Sequence, residues 1–141
     1  MKYSEKALEF AKKAHKGQKD KAGMDYIMHL LMVASLMDTD EEKAVAYLHD
    51  VVEDTNITIN DLNEIFPAVI VKAVDAITKR EKETYEDYLK RVSENELARK
   101  VKVSDLLHNS DLTRLKIITE KDRDRTKKYK RAIIYLLEHR K

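Results

Sequence analysis

From Ala44 to Val52 the chain is apolar except at His49 and Asp50. A helix that is apolar nearly all round belongs in a core. The fold must therefore take an adjacent imidazole and carboxylate into low dielectric together. Burying a carboxylate is very costly unless the group is paired, protonated or bound to a metal. Glu53 follows His49 by four residues and Asp50 by three, and Asp54 follows Asp50 by four. Those spacings put His49, Asp50, Glu53 and Asp54 on one helix face. No Lys or Arg lies between Ala44 and Thr55 to neutralise them. The acids also gather at a helix C-terminus, where the macrodipole disfavours each negative charge by about 0.3–1 kcal/mol. A sequence shaped for stability alone would avoid this, and a divalent cation would resolve it. Taken alone, the stretch also fits a His–Asp hydrogen bond in the core with Glu53 and Asp54 as a solvated helix end. The other His and Asp residues of the chain bear on that choice.

The pattern around this stretch is helical throughout. A first helix is expected over about Ser4 to Lys16, with Leu8, Ala11, Ala14 and His15 inward and Tyr3 and Ala7 behind them. The stretch from His15 to Asp25 holds both glycines, Gly17 and Gly23, together with Lys16, Lys19 and Lys21. A second helix, about Ile27 to Met37, is apolar except for His29 and Ser35, which makes His29 a second buried imidazole. Asp40 can cap a third helix running from Glu41 to Asp54. Thr58 with Asp61 resembles a capping box for a fourth helix reaching Phe66. Pro67 suits the first position of a fifth helix that ends near Ile77. Thr84 with Asp87 opens a sixth helix, to about Ser93, and Glu96 to Asn109 forms a seventh. Glu120 to Arg125 reads as a charged loop before an eighth helix to about Glu138. In that last helix Tyr129, Ile133, Leu136 and Leu137 make the apolar stripe, and Lys127, Lys128, Lys130 and Arg131 a solvated face. On the seventh helix Asp105, His108 and Asn109 stand at i, i+3 and i+4. Taken alone, these read as residues capping and hydrogen-bonding near a helix end.

Length and composition set the limits. One domain spanning residues 1–141 is expected at this size. With 2 Gly and 1 Pro, and many Ala, Leu, Lys and Glu, the fold class is expected to be all-α, with about eight helices. The absence of Cys excludes disulfide and thiolate chemistry. The N-terminal segment lacks the apolar core of a signal peptide, and no apolar run approaches a bilayer span of about 20 residues. A cytoplasmic protein without a membrane partner is expected. A net charge of +2 with both signs well mixed argues against a dedicated nucleic-acid binder.

Taken together, His29, His49-Asp50 and Asp105 match in order and spacing the HD superfamily of metal-dependent phosphohydrolases. The match extends to Gly17-Gln18, Gly23, Tyr26-Ile27-Met28-His29, Val33-Ala34, Leu48 through Thr55, Thr78-Lys79 and Asp105-Leu106-Leu107-His108-Asn109. With these segments the chain resembles the hydrolase domain of RelA/SpoT-type enzymes, in a small standalone form. That resemblance covers the chain from the first helix through the seventh. It implies an HD-domain helical bundle and hydrolysis of the 3′-pyrophosphate of (p)ppGpp with Mn²⁺. His29, His49, Asp50 and Asp105 are then implied as metal ligands, Glu53 and Asp54 as catalytic groups beside the metal, and Asn109 as a nucleotide contact. Two imidazoles and two carboxylates form a mixed N/O set that suits Mn²⁺ or Fe²⁺. Mg²⁺ or Zn²⁺ are alternatives, although closed zinc sites usually use Cys. The implied partner is a small-molecule nucleotide, and a homodimer is compatible with the sequence.

The chain departs from that family pattern at several places. A basic residue usually stands where this chain has Asp20; Lys19 and Lys21 are the expected substitutes as phosphate contacts. Pro is common where Asp25 and Leu30 stand, and Met-Arg-Thr is usual where Ser110-Asp111-Leu112 stands. The changes at Asp20, Asp111 and Leu112 fall at or near the nucleotide side and spare the metal side. On this reading Asp20→Arg is expected to improve alarmone hydrolysis. Two further activities fit the same residues: an HD-type 5′-nucleotidase, and a nucleotide-sensing module without turnover. The presence of Glu53 and Asp54 speaks against the second, since a pure binder has no need of them.

Overall fold

A computed structural model describes residues 1–139. Its helices are α1 (Tyr3–Ala14), α2 (Tyr26–Ser35), α3 (Asp40–Leu48), α4 (Val51–Asp54), α5 (Ile59–Asn63), α6 (Ala68–Ile77), α7 (Tyr85–Ser93), α8 (Glu96–Asn109) and α9 (Glu120–Glu138). A 3₁₀ turn, Leu112–Arg114, joins α8 to the segment before α9. The all-α expectation holds: no strand occurs among the described residues. No helix among them is long and apolar enough to cross a membrane.

Helix α3 is the hub. Ala44, Val45, Ala46 and Leu48 are fully buried in it, and α1, α2, α6 and α8 pack around it. The small side chains Ala7 and Ala11 of α1 are fully buried and let α1 lie close along α3. Leu8 is only half-buried and Tyr3 is exposed, so the inner stripe of α1 is Ala7, Ala11 and His15, rotated from the expected one. Helix α9 closes the bundle over α7 and α8, with Ala132 and Leu136 buried and Leu137 exposed. The four basic residues expected on the solvated face of α9 are exposed, and Lys128 lies 4.0 Å from the centre of the Tyr85 ring.

Local chemistry explains most boundaries. Thr39, not Asp40, caps α3, in a reciprocal box with Glu42; Thr58 and Asp61 form the same box on α5. Thr84 caps α7 by accepting the Asp87 amide. Pro67 precedes α6 in extended geometry instead of entering its first turn. Helix α9 starts at Glu120 and takes in the whole charged stretch expected to be a loop, because Thr119 and Asp122 form a capping box. Charged composition concealed a helix start that the Thr-x-x-Asp spacing encodes.

The largest departure lies at the organising stretch. One continuous helix is expected from Glu41 to Asp54, yet the α-helical ladder stops at Leu48 and resumes at Val51. Asp50 sits at φ −105°, ψ 0°, outside the helical well. The Ala46 carbonyl, which a continuous helix would offer to the Asp50 amide, accepts the His49 imidazole at 2.6 Å. The buried His–Asp pair therefore sits at a break in the hub helix.

Candidate metal centre and adjoining pocket

Four side chains from two helices and the helix break converge. His29 comes from α2, Asp105 from α8, and His49 and Asp50 from the break after α3. One potential ligand atom from each lies within 4.8 Å of all the others. His29 Nε2 is 2.8 Å from Asp105 Oδ1, and His49 Nε2 is 3.0 Å from Asp50 Oδ2 and 3.2 Å from Asp105 Oδ1. His29, His49 and Asp105 are buried, while Asp50 keeps one edge open.

The donor set fits a divalent cation. The Ala46 carbonyl can only accept, so His49 Nδ1 carries the hydrogen and its Nε2 faces inward. In a neutral imidazole that inward nitrogen is a lone pair, aimed at two carboxylate oxygens. Three acceptors directed at one another are repulsive unless a proton or a metal ion lies between them. Burial opposes charge on His49, yet the Asp50 and Asp105 carboxylates outweigh it and hold the imidazole well above its usual range. Burial likewise opposes ionisation of Asp105, but Lys102, His49 and His29 hold its carboxyl well below the usual range. The centre demands positive charge at its middle and is built to keep its carboxylates ionised. Mixed imidazole and carboxylate ligands suit first-row divalent ions.

A ring of neighbours orients these groups. The Tyr26 hydroxyl donates to Asp50 Oδ2. Lys102 Nζ donates to Asp105 Oδ2 at 3.0 Å, and Asn109 Nδ2 to Asp105 Oδ1 at 3.1 Å. Burial disfavours the Lys102 charge, but Asp105 keeps it protonated. Such outer contacts fix ligand geometry and tune affinity at metal sites. The signal for Lys102 and His108 lies in their helical spacing, three residues either side of Asp105.

Glu53 and Asp54 stand at the rim and are exposed. The Glu53 carboxylate accepts the Lys79 amide, which ties it to the turn after α6. Partial desolvation raises the carboxyl pKa of both residues, and the nearby Asp50 charge adds to the rise. Gln18 Nε2 donates to the Asp54 carbonyl at 3.3 Å and so ties the glycine-containing loop to this rim.

Tyr26 and Asn109 also line a pocket of about 300 Å³, so the pocket opens directly beside the ligand cluster. Its wall carries Lys19, Lys21, Arg114 and Arg125, with Tyr129 and Leu112 as apolar surface. Lys19, Lys21 and Asn109, expected as substrate contacts, all line this pocket. The sequence assigns Arg114 and Arg125 no part in the site and puts Tyr129 in the apolar stripe of the last helix, yet all three line the pocket. Arg125 and Tyr129 reach the wall because α9 begins before them and folds back over α8.

Asp20 also lines this wall, but as a structural group. Its Oδ1 accepts the amides of Ala22 at 2.9 Å and Met24 at 3.0 Å. Its Oδ2 pairs with Arg114 at 2.5 Å, 94 residues away in sequence. Gly17 and Gly23, at φ +86° and +83°, supply the left-handed turns that let the loop close around it. Asp111 is likewise occupied, capping the 3₁₀ turn through Thr113. The structure therefore changes the expectation for Asp20→Arg. That substitution removes the acceptors of two loop amides and sets a second guanidinium against Arg114. Stability is expected to fall by about 2–3 kcal/mol, the scale of hydrogen bonds to a charged group. Nucleotide turnover is expected to fall with it; thermal melts beside kcat/KM check this, and unchanged stability with faster turnover would contradict it.

The HD domain family profile matches residues 7–133. The chain is 32% identical over 148 aligned positions to the guanosine-3′,5′-bis(diphosphate) 3′-pyrophosphohydrolase of Aquifex aeolicus, which covers 96% of this chain and 21% of that protein. It is 33% identical over 118 positions to the GTP pyrophosphokinase of Streptomyces coelicolor, covering 74% of this chain and 14% of that one. The chain thus spans about a fifth or less of the length of these relatives. A solved structure described as a metazoan ortholog of SpoT that hydrolyzes ppGpp superposes with a TM-score of 0.78 at 22% identity, over 96% of this chain and 85% of that one. That superposition establishes a shared fold.

Proposed function

We propose a function from the premise that this chain belongs to the HD domain family. It is a metal-dependent phosphohydrolase that cleaves a phosphate or pyrophosphate ester of a nucleotide. The similarity to the Aquifex enzyme makes (p)ppGpp, cleaved at its 3′-pyrophosphate, the foremost substrate. The observation that carries this reading is the continuity of the ligand cluster with a basic pocket through Tyr26 and Asn109.

His29, His49, Asp50 and Asp105 would hold the ion, with Mn²⁺ preferred for its fit to imidazole and carboxylate ligands. Once bound, such an ion polarises a phosphoryl oxygen and acidifies water. The remaining roles belong to the chain. Lys19 and Arg125, each now paired with a carboxylate, and Lys21 beside them face the phosphates of the nucleotide, while Arg114 stays paired with Asp20 and holds the pocket wall. Tyr129 and Leu112 offer apolar surface to its base or sugar. In hydrolysis a water oxygen forms the new bond to phosphorus and the ester oxygen leaves. The water must lose a proton and the leaving oxygen must gain one. Glu53 and Asp54, at the open rim with raised carboxyl pKa, can accept the first and return the second. The Lys79 amide holds Glu53 in place for that work.

A panel assay tests the reading. Mn²⁺-loaded protein is offered (p)ppGpp, nucleoside monophosphates and dinucleotides, with phosphate and pyrophosphate release measured separately. The expected result is Mn²⁺-dependent pyrophosphate release from (p)ppGpp. Phosphate release confined to nucleoside monophosphates would replace it with the 5′-nucleotidase reading. Nucleotide binding without release of either product would leave a sensing module.

A further inference from the structure

His29 touches a second imidazole. Its Nδ1 lies 2.7 Å from His108 Nδ1. The two ring centres are 4.9 Å apart and the ring planes are inclined by 24°. That centre separation is the nitrogen–nitrogen distance plus roughly one ring radius at each end. The two nitrogens therefore lie close to the line joining the ring centres, and the rings meet edge to edge. This is a ring N–H directed along a ring lone pair, so one of the two nitrogens is protonated and the other is bare.

We propose that His108 is a positioning residue for His29: its bare Nδ1 accepts the His29 Nδ1–H and so leaves His29 Nε2 free to take a divalent cation. The inference rests on the metal centre of the proposed function and adds a residue to it. The competing arrangement is built into the same site. His29 Nε2 faces Asp105 Oδ1 at 2.8 Å, so a neutral His29 without an outer acceptor gains by carrying its hydrogen on Nε2. That hydrogen would block the nitrogen needed for the metal. Which nitrogen of a histidine is free is set by the bond the other one makes.

His49 shows the same design with a different acceptor. Its Nδ1 donates to the Ala46 carbonyl at 2.6 Å, and its Nε2 points into the cluster. In α2 the carbonyls are used by the helix, and the outer acceptor for His29 is supplied from α8 instead. Asp105 and His108 stand three residues apart, so one turn of α8 presents a ligand and the partner of another ligand. Arg114 Nη1 donates to the His108 carbonyl at 3.3 Å and anchors the end of that turn.

The test compares the full chain with His108→Asn and His108→Leu. Asn carries an acceptor oxygen the same number of bonds from the backbone as His Nδ1; Leu carries none. Each protein is stripped with chelator, and Mn²⁺ affinity is measured by competition with a fluorescent chelator, beside circular dichroism and a thermal melt. His108→Leu is expected to bind Mn²⁺ about 10–100-fold more weakly, the usual size of an outer-contact effect. His108→Asn should stay within a few-fold of the parent. A packing role alone would not separate the two by acceptor chemistry. Parent-like affinity in His108→Leu, or equal losses in both variants, overturns the inference while leaving the metal centre intact. A parent that binds no divalent ion overturns both. In the Zn²⁺-loaded parent, imidazole ¹⁵N spectra should place the His29 hydrogen on Nδ1; this readout holds even if a variant fails to fold, and a hydrogen on Nε2 overturns the proposal.

Discussion

His49→Ala is expected to purify without bound metal and to lose turnover by about 10³-fold or more, since metal stabilisation of a phosphoryl transition state amounts to several kcal/mol. The substitution removes the one imidazole whose Nε2 touches both carboxylates, Asp50 at 3.0 Å and Asp105 at 3.2 Å. What remains is two buried or partly buried acids facing one another across an empty imidazole volume. Asp105 keeps Lys102, His29 and Asn109, while Asp50 keeps Tyr26. The fold should therefore survive at a loss of about 3 kcal/mol, the low end of what breaking a buried charged pair costs. Elemental analysis of parent and variant, each reconstituted with Mn²⁺ and then desalted, measures the first effect, and circular dichroism confirms the fold. Full metal occupancy in the folded variant would remove His49 from the ligand set.

Glu53→Gln and Asp54→Asn should separate chemistry from binding. Neither residue belongs to the four-residue ligand cluster, so metal occupancy should not change. Turnover should fall by roughly 10²–10⁴-fold, the usual contribution of a general acid or base. Gln at position 53 can still accept the Lys79 amide through its side-chain oxygen, so the turn after α6 should hold. The stability effect has a definite sign. Desolvation and the Asp50 charge raise both carboxyl pKa values in the fold, so the folded chain binds protons more tightly than the unfolded one. Ionisation therefore disfavours the fold as pH rises through the ordinary carboxylate range and up to the raised value. In chelator-treated protein the neutral variants should melt at the same temperature as the parent or higher at neutral pH. That difference should close as pH falls below about 4, where the parent's carboxyls are protonated in both states. Parent-like turnover in both variants would remove these residues from the chemistry.

The contrast between these two tests follows from where each residue sits relative to the break after α3. His49 and Asp50 lie at the break, with their side chains directed into the cluster, while Glu53 and Asp54 lie on the short α4 that follows. A continuous helix would place all four on one stripe. The break instead puts His49 and Asp50 in the cluster and leaves Glu53 and Asp54 at the rim, as the proposed ligand and proton-transfer roles require.

Most helices were legible in the sequence because they depend on short-range rules, whereas the four residues that could hold a metal were reached through the family resemblance. Helical spacing places Asp105, His108 and Asn109 on one face, and threonines three residues before an acid mark helix starts at Thr58 and Thr84. An imidazole and a carboxylate within an apolar run announce a buried polar centre wherever the chain folds. The same rules stop at the range of a few residues. They cannot report that Asp20 is committed to two loop amides and to Arg114, because that pairing exists only once the glycine-containing loop and the 3₁₀ turn are brought together. Nor can they place Arg125 and Tyr129 on the pocket wall, which depends on how α9 packs across α7 and α8. A charge reads from sequence as attraction or repulsion toward a ligand; whether it is free to act depends on the partner that tertiary packing sets against it, and at Asp20 that partner converts an expected repulsion into an internal ion pair.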